Sequence, residues 1–232
     1  MELIWQGTKQ AFWLLLGGDL EVLQITLLSL QVSGLATLLS LILGVPLGTI
    51  IGLTRFSGRG VIVSLVNTGM GLPPVVVGLY VSIILWRSGP LGSLELLYTP
   101  TAIVIAQFII AFPVVTGLTM AGVQQIDPQL RLQLLGLGAS RLQLLFLLLR
   151  EMRLALLAAI MAGFGAVISE IGASMMVGGN ILGHTRVLTT ATVLETSKGN
   201  FEVAIALSML LLAITFLVNW ALTAVQQRGA RR

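Results

Sequence analysis

Cysteine is absent from the 232 residues and histidine occurs once, at His184. The first absence excludes disulfides, thiolate nucleophiles and Cys-ligated metals. The second makes a histidine-built metal centre within one chain implausible. Charge is scarce as well. Only 9% of residues are Asp, Glu, Lys or Arg, against about 25% in soluble domains. A mean hydropathy of +1.00 therefore places the chain in the membrane class. There is no G-x-x-x-x-G-K-[ST] run, so no phosphate-cradling P-loop is encoded. No catalytic constellation emerges either, and the chain reads as a transport or scaffold protein, not an enzyme. The net charge of +4 calls for no nucleic acid, because retention of arginine on the cytoplasmic side of a membrane produces the same excess.

What is present is long uncharged stretches: 22–54, 60–86, 96–126 and 203–227 hold no charged side chain, and 154–183 holds only Glu170. A bilayer core of about 30 Å takes about 20 helical residues to cross. Five spans follow, at 25–53, 61–86, 101–124, 154–177 and 203–225. Five crossings put the two ends on opposite sides. With the 55–60, 125–153 and C-terminal segments inside, Arg55, Arg59, Arg131, Arg141, Arg150, Arg153, Arg228, Arg231 and Arg232 are cytoplasmic. Lys9, Arg87, Arg186 and Lys198 are then outside. That asymmetry predicts the N-terminus outside and the C-terminus in the cytoplasm of a multi-pass cell-membrane protein. The segment 1–21, with Phe12 and Trp13, is too short to span and reads as an interfacial helix. A signal peptide fits it poorly, with Lys9 as its lone basic residue and no small-x-small site. Residues 227–232 form a basic tail.

The stretch 127–153, DPQLRLQLLGLGASRLQLLFLLLREMR, breaks the hydrophobicity. Asp127-Pro128 is a helix start, with Asp as cap and Pro in the first turn. Leu130, Leu134 and Leu137 recur at helical spacing, Gly136 and Gly138 permit a turn, and a second short helix starts from Ser140. Such an element either presses its leucines into a groove of a soluble partner or rests on lipid headgroups.

The Gly138-Ala139-Ser140 core, with the upstream helix and the Leu-rich run after it, resembles the coupling loop of ABC importer permeases. Setting Gly138 on the family's glycine puts its Glu-Ala-Ala positions at Leu132, Gln133 and Leu134. Its Ile-x-Leu-Pro positions fall at Leu148, Leu149, Arg150 and Glu151, so only the glycine is kept. The run GFGAVISEIGASMMVGGNILGHTRVLTTATVLETSKGNF, residues 163–201, closely resembles the tungstate permeases of that family. Gly44-Val45-Pro46-Leu47-Gly48 and Leu72-Pro73-Pro74-Val75-Val76-Val77-Gly78 support the likeness. The resemblance implies an all-α polytopic membrane protein with the type I ABC importer permease fold. Its transmembrane domain would cover 22–226 and its coupling loop 127–147. It also implies a homodimer in membrane lipid, a cytoplasmic ABC ATPase dimer carrying ATP and Mg²⁺, and an extracytoplasmic oxyanion-binding protein. This chain itself would bind no cofactor or metal. Leu134, Leu137, Gly138, Ala139, Ser140 and Arg141 are the implied ATPase-coupling residues.

Among single residues, Glu170 stands out. A lone carboxylate inside a span costs about 2.5–3.5 kcal/mol on insertion scales. It is either a pathway or gate residue, or a carboxylate bonded to neighbouring hydroxyls, with Ser169 and Ser174 close by. Carboxylate would repel an oxyanion, which leaves gate or hydrogen-bond anchor. Gly178, Gly179 and Asn180 are either a transient backbone anion contact or a helix stop and turn. Pro73, Pro74 and Pro113 are expected to break the helical ladder mid-membrane, as constriction or as kinks. Gly163/Gly165 and Gly172/Ala173 suit close helix packing. Arg186 either helps a binding protein or an anion to dock, or is a solvated loop charge. No span holds Lys or Arg, so substrate specificity falls to the external binding protein. Alternatives from other classes are an ion-coupled secondary transporter with Glu170 as proton carrier, a permease for a different small solute, and a non-transporting membrane scaffold.

Overall fold

The computed structural model describes Trp5, Thr8, Lys9 and residues 20–230. Most of the 1–21 segment, including Phe12 and Trp13, and Arg231 and Arg232 of the tail lie outside the described residues. All regular structure among the described residues is helical. The chain order is α1 (Leu20–Leu53), α2 (Arg59–Met70), α3 (Pro74–Leu85), a 3-10 turn (Gly92–Leu94), α4 (Pro100–Gln124), α5 (Pro128–Gly136), α6 (Arg141–Glu151), α7 (Arg153–Ile168), α8 (Gly172–Gly178), α9 (Leu188–Ser197) and α10 (Phe201–Ala230).

Three helices are each long and apolar enough to cross a membrane: α1, α4, and α10 over Phe201–Gln227. Two further stretches qualify only as bent pairs, α2 with α3 (102°) and α7 with α8 (57°). Both pairs run from one end of the bundle to the other. Arg59, at the start of α2, reaches the carbonyl of Ile51 near the end of α1, whereas Trp86, just past α3, shares a cavity with Tyr98 ahead of α4. The start of α7 lies by Gly122 near the end of α4, and Val177 of α8 accepts a hydrogen bond from Tyr98 N (2.8 Å). The pairs are thus broken spans, and five crossings result, two of them interrupted.

α4 is the axis of the bundle. Its most apolar window is 61% buried, against 39% for α1 and 22% for α10. Thr99 caps it and Pro100 opens it. Its residues Ala102, Ile103, Ala106 and Ile110 pack with Val32 of α1, Val77 and Val81 of α3, Val167 of α7 and Val177 of α8. Pro113 leaves α4 unbroken, contrary to the sequence expectation. A helix can carry proline where neighbours hold it, and Gly69 of α2 lies flush against the Pro113 ring.

α1 meets α4 through Gly44, Gly48 and Gly52, spaced by four on one helix face. A Cβ on Gly48 would lie 2.5 Å from the Thr116 carbonyl oxygen. Hydrocarbon offers no hydrophobic drive between helices, so such backbone proximity supplies the van der Waals attraction. Gly163 does the same against Val115, while Gly165 has open space and no packing role. Ser29, Thr37, Ser40 and Thr49 return their hydroxyl hydrogens to carbonyls four residues back, which lets α1 carry hydroxyls at no unsatisfied polar cost.

Candidate functional site

The two interruptions lie against each other. At 71–73 the chain leaves α2, and Pro73, in extended conformation, and Pro74 open α3. Pro73 has no N–H to lose at a helix start, and its ring forbids continuation of α2. The second interruption, at 169–171, separates α7 from α8. A Cβ on Gly172 would sit 2.8 Å from Val75 Cγ2, and one on Gly78 would sit 2.7 Å from Ala173 Cα. Glycine at both places lets α3 and α8 touch just beyond their breaks. The outer side of α3 is apolar and uncovered, with Leu72, Val75, Leu79 and Ile83 exposed.

Glu170 is 5% exposed and closes the second break. Its Oε1 accepts from Ala173 N (2.6 Å). Its Oε2 accepts from Ser174 N (2.9 Å) and from Ser174 Oγ (2.8 Å). It therefore takes the amides that the first turn of α8 leaves unbonded, the work of an N-terminal cap. Ser174 is the hydroxyl partner anticipated from sequence. Ser169 is not, because its Oγ bonds the Gly165 carbonyl. Thr189 of α9 donates to the Glu170 carbonyl (2.9 Å).

Gln107 completes this polar centre and was not singled out in the sequence. It is buried on α4, and its Nε2 donates to the Val167 carbonyl (3.1 Å) and to Ser174 Oγ (3.4 Å). Its Oε1 is buried with no partner among the described residues. The signal available was that Gln107 is the sole amide in the interior of span 101–124. A buried amide outside a satisfied network is costly, and here it ties α4 to the α7–α8 break.

Gly178, Gly179 and Asn180 follow α8. Gly179 (φ 70) and Asn180 (φ 53) are left-handed, and Gly179 N bonds the Met175 carbonyl, which is the geometry of a helix stop. Thr185 Oγ1 holds the Gly178 carbonyl (2.5 Å), and Asn180 Nδ2 donates to the Thr190 carbonyl (3.4 Å). Arg186 is not a solvated loop charge. Its side chain is largely covered and pairs with Glu21 at 3.5 Å, because the 181–187 turn folds back onto the start of α1. Beyond α9, hydrogen bonds from Lys198 and Asn200 hold the Glu195 carboxyl below its ordinary range.

At the opposite end, α5 and α6 form the two-helix element expected at 127–153. Asp127 Oδ1 accepts from Gln129 N (2.8 Å). Ser140 and Gln143 form a reciprocal capping box. Gly138 (φ 82) makes the turn between the helices. No residue of α5 is buried. Leu137, at the corner, is 84% exposed, and Leu142 and Phe146 are exposed beside it. Leu134 and Ala139 are half-buried, and Arg141 is exposed. α6 passes into α7 through the single buried residue Met152.

Among the described residues no group of His, Asp and Glu could hold a metal ion. What the arrangement offers is mechanical: an exposed apolar element at one end, and two abutting breaks within the span region.

Residues 44–231 match the family described as binding-protein-dependent transport system inner membrane component. The chain is 40% identical over 227 residues to the tungstate uptake system permease protein TupB of Peptoclostridium acidaminophilum, covering 98% of this chain and 100% of that one. It is 42% identical over 210 residues to a probable anion ABC transporter permease protein of Haloferax volcanii, covering 87% and 90%. Among solved structures, an inward-facing form of the MetNI methionine ABC transporter superposes with a TM-score of 0.76 at 17% identity, covering 90% of this chain and 96% of that one. The last likeness shows that the fold is shared.

Proposed function

Because the chain belongs to the family of binding-protein-dependent transport system inner membrane components, we propose that it is the permease subunit of an ATP-driven ABC importer. Its substrate is tungstate, or a related oxyanion such as molybdate, delivered by an external binding protein. The observation that carries this reading is the likeness to a tungstate uptake permease along 98% of the chain. The chain is a transport subunit and no enzyme: ATP and its Mg²⁺ belong to a separate ATPase dimer. Family membership disfavours the ion-coupled alternative. So does the engagement of both Glu170 carboxylate oxygens by N–H and O–H donors.

Two copies pair about a two-fold axis in the cell membrane. The exposed face of α3, beside the abutting breaks, supports a shared pathway there. Pro73, Pro74 and Glu170 shape its gate, and Gly178, Gly179 and Asn180 form its outer mouth. Glu170 anchors the gate and does not bind the anion, since a carboxylate repels one. The arginine distribution supports an outside N-terminus and a cytoplasmic C-terminus. On that orientation α5 and α6 are cytoplasmic, and Leu134, Leu137, Gly138, Ala139, Ser140 and Arg141 dock on the ATPase. Closure of the ATPases displaces this element. The motion passes through Met152 into α7, reaches the break at 169–171, and crosses from Gly172 to Val75 and α3.

The test is cellular tungsten and molybdenum content, with and without the gene, at trace supply of each oxyanion. Loss of tungsten is expected. Loss of both metals widens the substrate to tetrahedral oxyanions generally. No change in either, with expression verified, refutes the assignment.

A further inference from the structure

The bundle end that carries α5 holds a second arrangement that the transport pathway does not use. A cavity of about 380 Å³ opens where the end of α1, the 54–58 loop, the start of α2, the end of α4 and the start of α5 meet. Three arginines line it, Arg55 from the connection between α1 and α2, Arg59 from the start of α2 and Arg131 from α5. One carboxylate, Asp127, lines it with them. That carboxylate is engaged in capping α5 through Gln129 N. Among the described residues none of the three guanidiniums forms an ion pair with a carboxylate.

Two of the guanidiniums are nevertheless held in place. Arg59 Nε donates to the Ile51 carbonyl (2.9 Å), and Arg131 Nη1 donates to the Leu53 carbonyl (3.3 Å). These are carbonyls at the end of α1, where a helix presents partial negative charge. Each bond uses one of the five N–H donors of its guanidinium, leaving donors free for a ligand. Three arginines that line one concavity, two of them tethered to α1, offer planar forked donors suited to tetrahedral oxyanions.

We propose that this cavity binds a tetrahedral oxyanion, either the phosphate of an anionic phospholipid headgroup or a free oxyanion, and that the bound anion clamps the root of α5 to the ends of α1 and α4. The inference goes beyond the transport reading. Only the naming of the site as cytoplasmic rests on the orientation proposed above, and binding itself can be measured without it.

The experiment uses the purified permease–ATPase complex in nanodiscs. One arm compares phosphatidylcholine with phosphatidylcholine containing phosphatidylglycerol, and reads lipid retained on the protein by native mass spectrometry. The other arm adds tungstate or sulfate to the phosphatidylcholine discs and reads the thermal unfolding midpoint. Arg55→Gln is the primary variant, since Arg55 makes no side-chain bond among the described residues that folding would miss. Arg131→Lys keeps the charge and removes the fork. Asp127→Asn keeps a capping side chain and removes the repelling charge.

Anion binding about tenfold weaker in Arg55→Gln and tighter in Asp127→Asn is expected, because one charge-assisted donor is lost and one like charge removed. Retained phosphatidylglycerol that Arg55→Gln releases identifies the lipid as the source. A tungstate or sulfate shift that the same variant abolishes identifies the free anion. Binding of neither, or binding that all three variants leave unchanged, overturns the proposal.

Discussion

Replacement of Glu170 by alanine separates a carboxylate that builds the gate from one that acts on what passes through it. The side chain accepts three hydrogen bonds, at 2.6, 2.9 and 2.8 Å, in a site 5% exposed. Bonds to a charged group contribute about 1.5–3 kcal/mol each, or about 4.5–9 kcal/mol for the set. Against this, deleting the carboxylate recovers the insertion cost of about 2.5–3.5 kcal/mol. The net expectation for Glu170→Ala is a loss of about 1–6.5 kcal/mol, with its middle above the usual loss of a surface cap at about 0.5–2 kcal/mol. Glu170→Gln should fall close to it, because the amide NH₂ then faces amide donors. The assay is unfolding by SDS titration from a mild detergent, followed by tryptophan fluorescence, with oxyanion uptake measured in parallel. Uptake should fall in proportion to folded protein. Stability unchanged within about 0.5 kcal/mol together with abolished uptake would refute the capping argument and return Glu170 to the pathway itself.

Three further substitutions test the helix packing and the coupling element. Gly48→Ala drives a methyl to 2.5 Å from the Thr116 carbonyl oxygen, while Gly34→Ala meets nothing within 4 Å. The first should cost about 1–3 kcal/mol by overpacking and the second should be neutral or stabilising through helix propensity, read by the same titration. Equal effects would show that α1 and α4 do not approach as described. Leu137→Glu alters a side chain that is 84% exposed, so stability should change by less than about 0.5 kcal/mol. Co-purification of the ATPase should fall sharply, and undiminished co-purification would exclude the α5–α6 corner as the docking element.

The membrane class, the five crossings and the helical starts at Pro128 and Arg141 were legible in the sequence. Each depends on transfer of local stretches from water or on capping by a neighbour a few residues away, both properties of short segments. Pro73-Pro74 likewise announced its own break. The identical residue type at Pro113 did not break α4, because the outcome there depends on Gly69 in another helix. The same holds for Glu170. Its isolation in an apolar run was visible in the sequence, and so was its proximity to Ser174. That its oxygens also take two amides of α8 required knowing that the helix breaks at 169–171. Gln107 meets its partners across sequence separations of 60 and 67 residues. Of the three arginines around the α5 root, Arg55 and Arg59 are near neighbours in the chain and only Arg131 is brought to them from a distant segment. Sequence alone determined which stretches enter the membrane, since hydrophobic transfer is summed residue by residue. Only the tertiary structure decided which breaks abut and which charges converge, since those depend on close approach between helices that no local property of either one specifies.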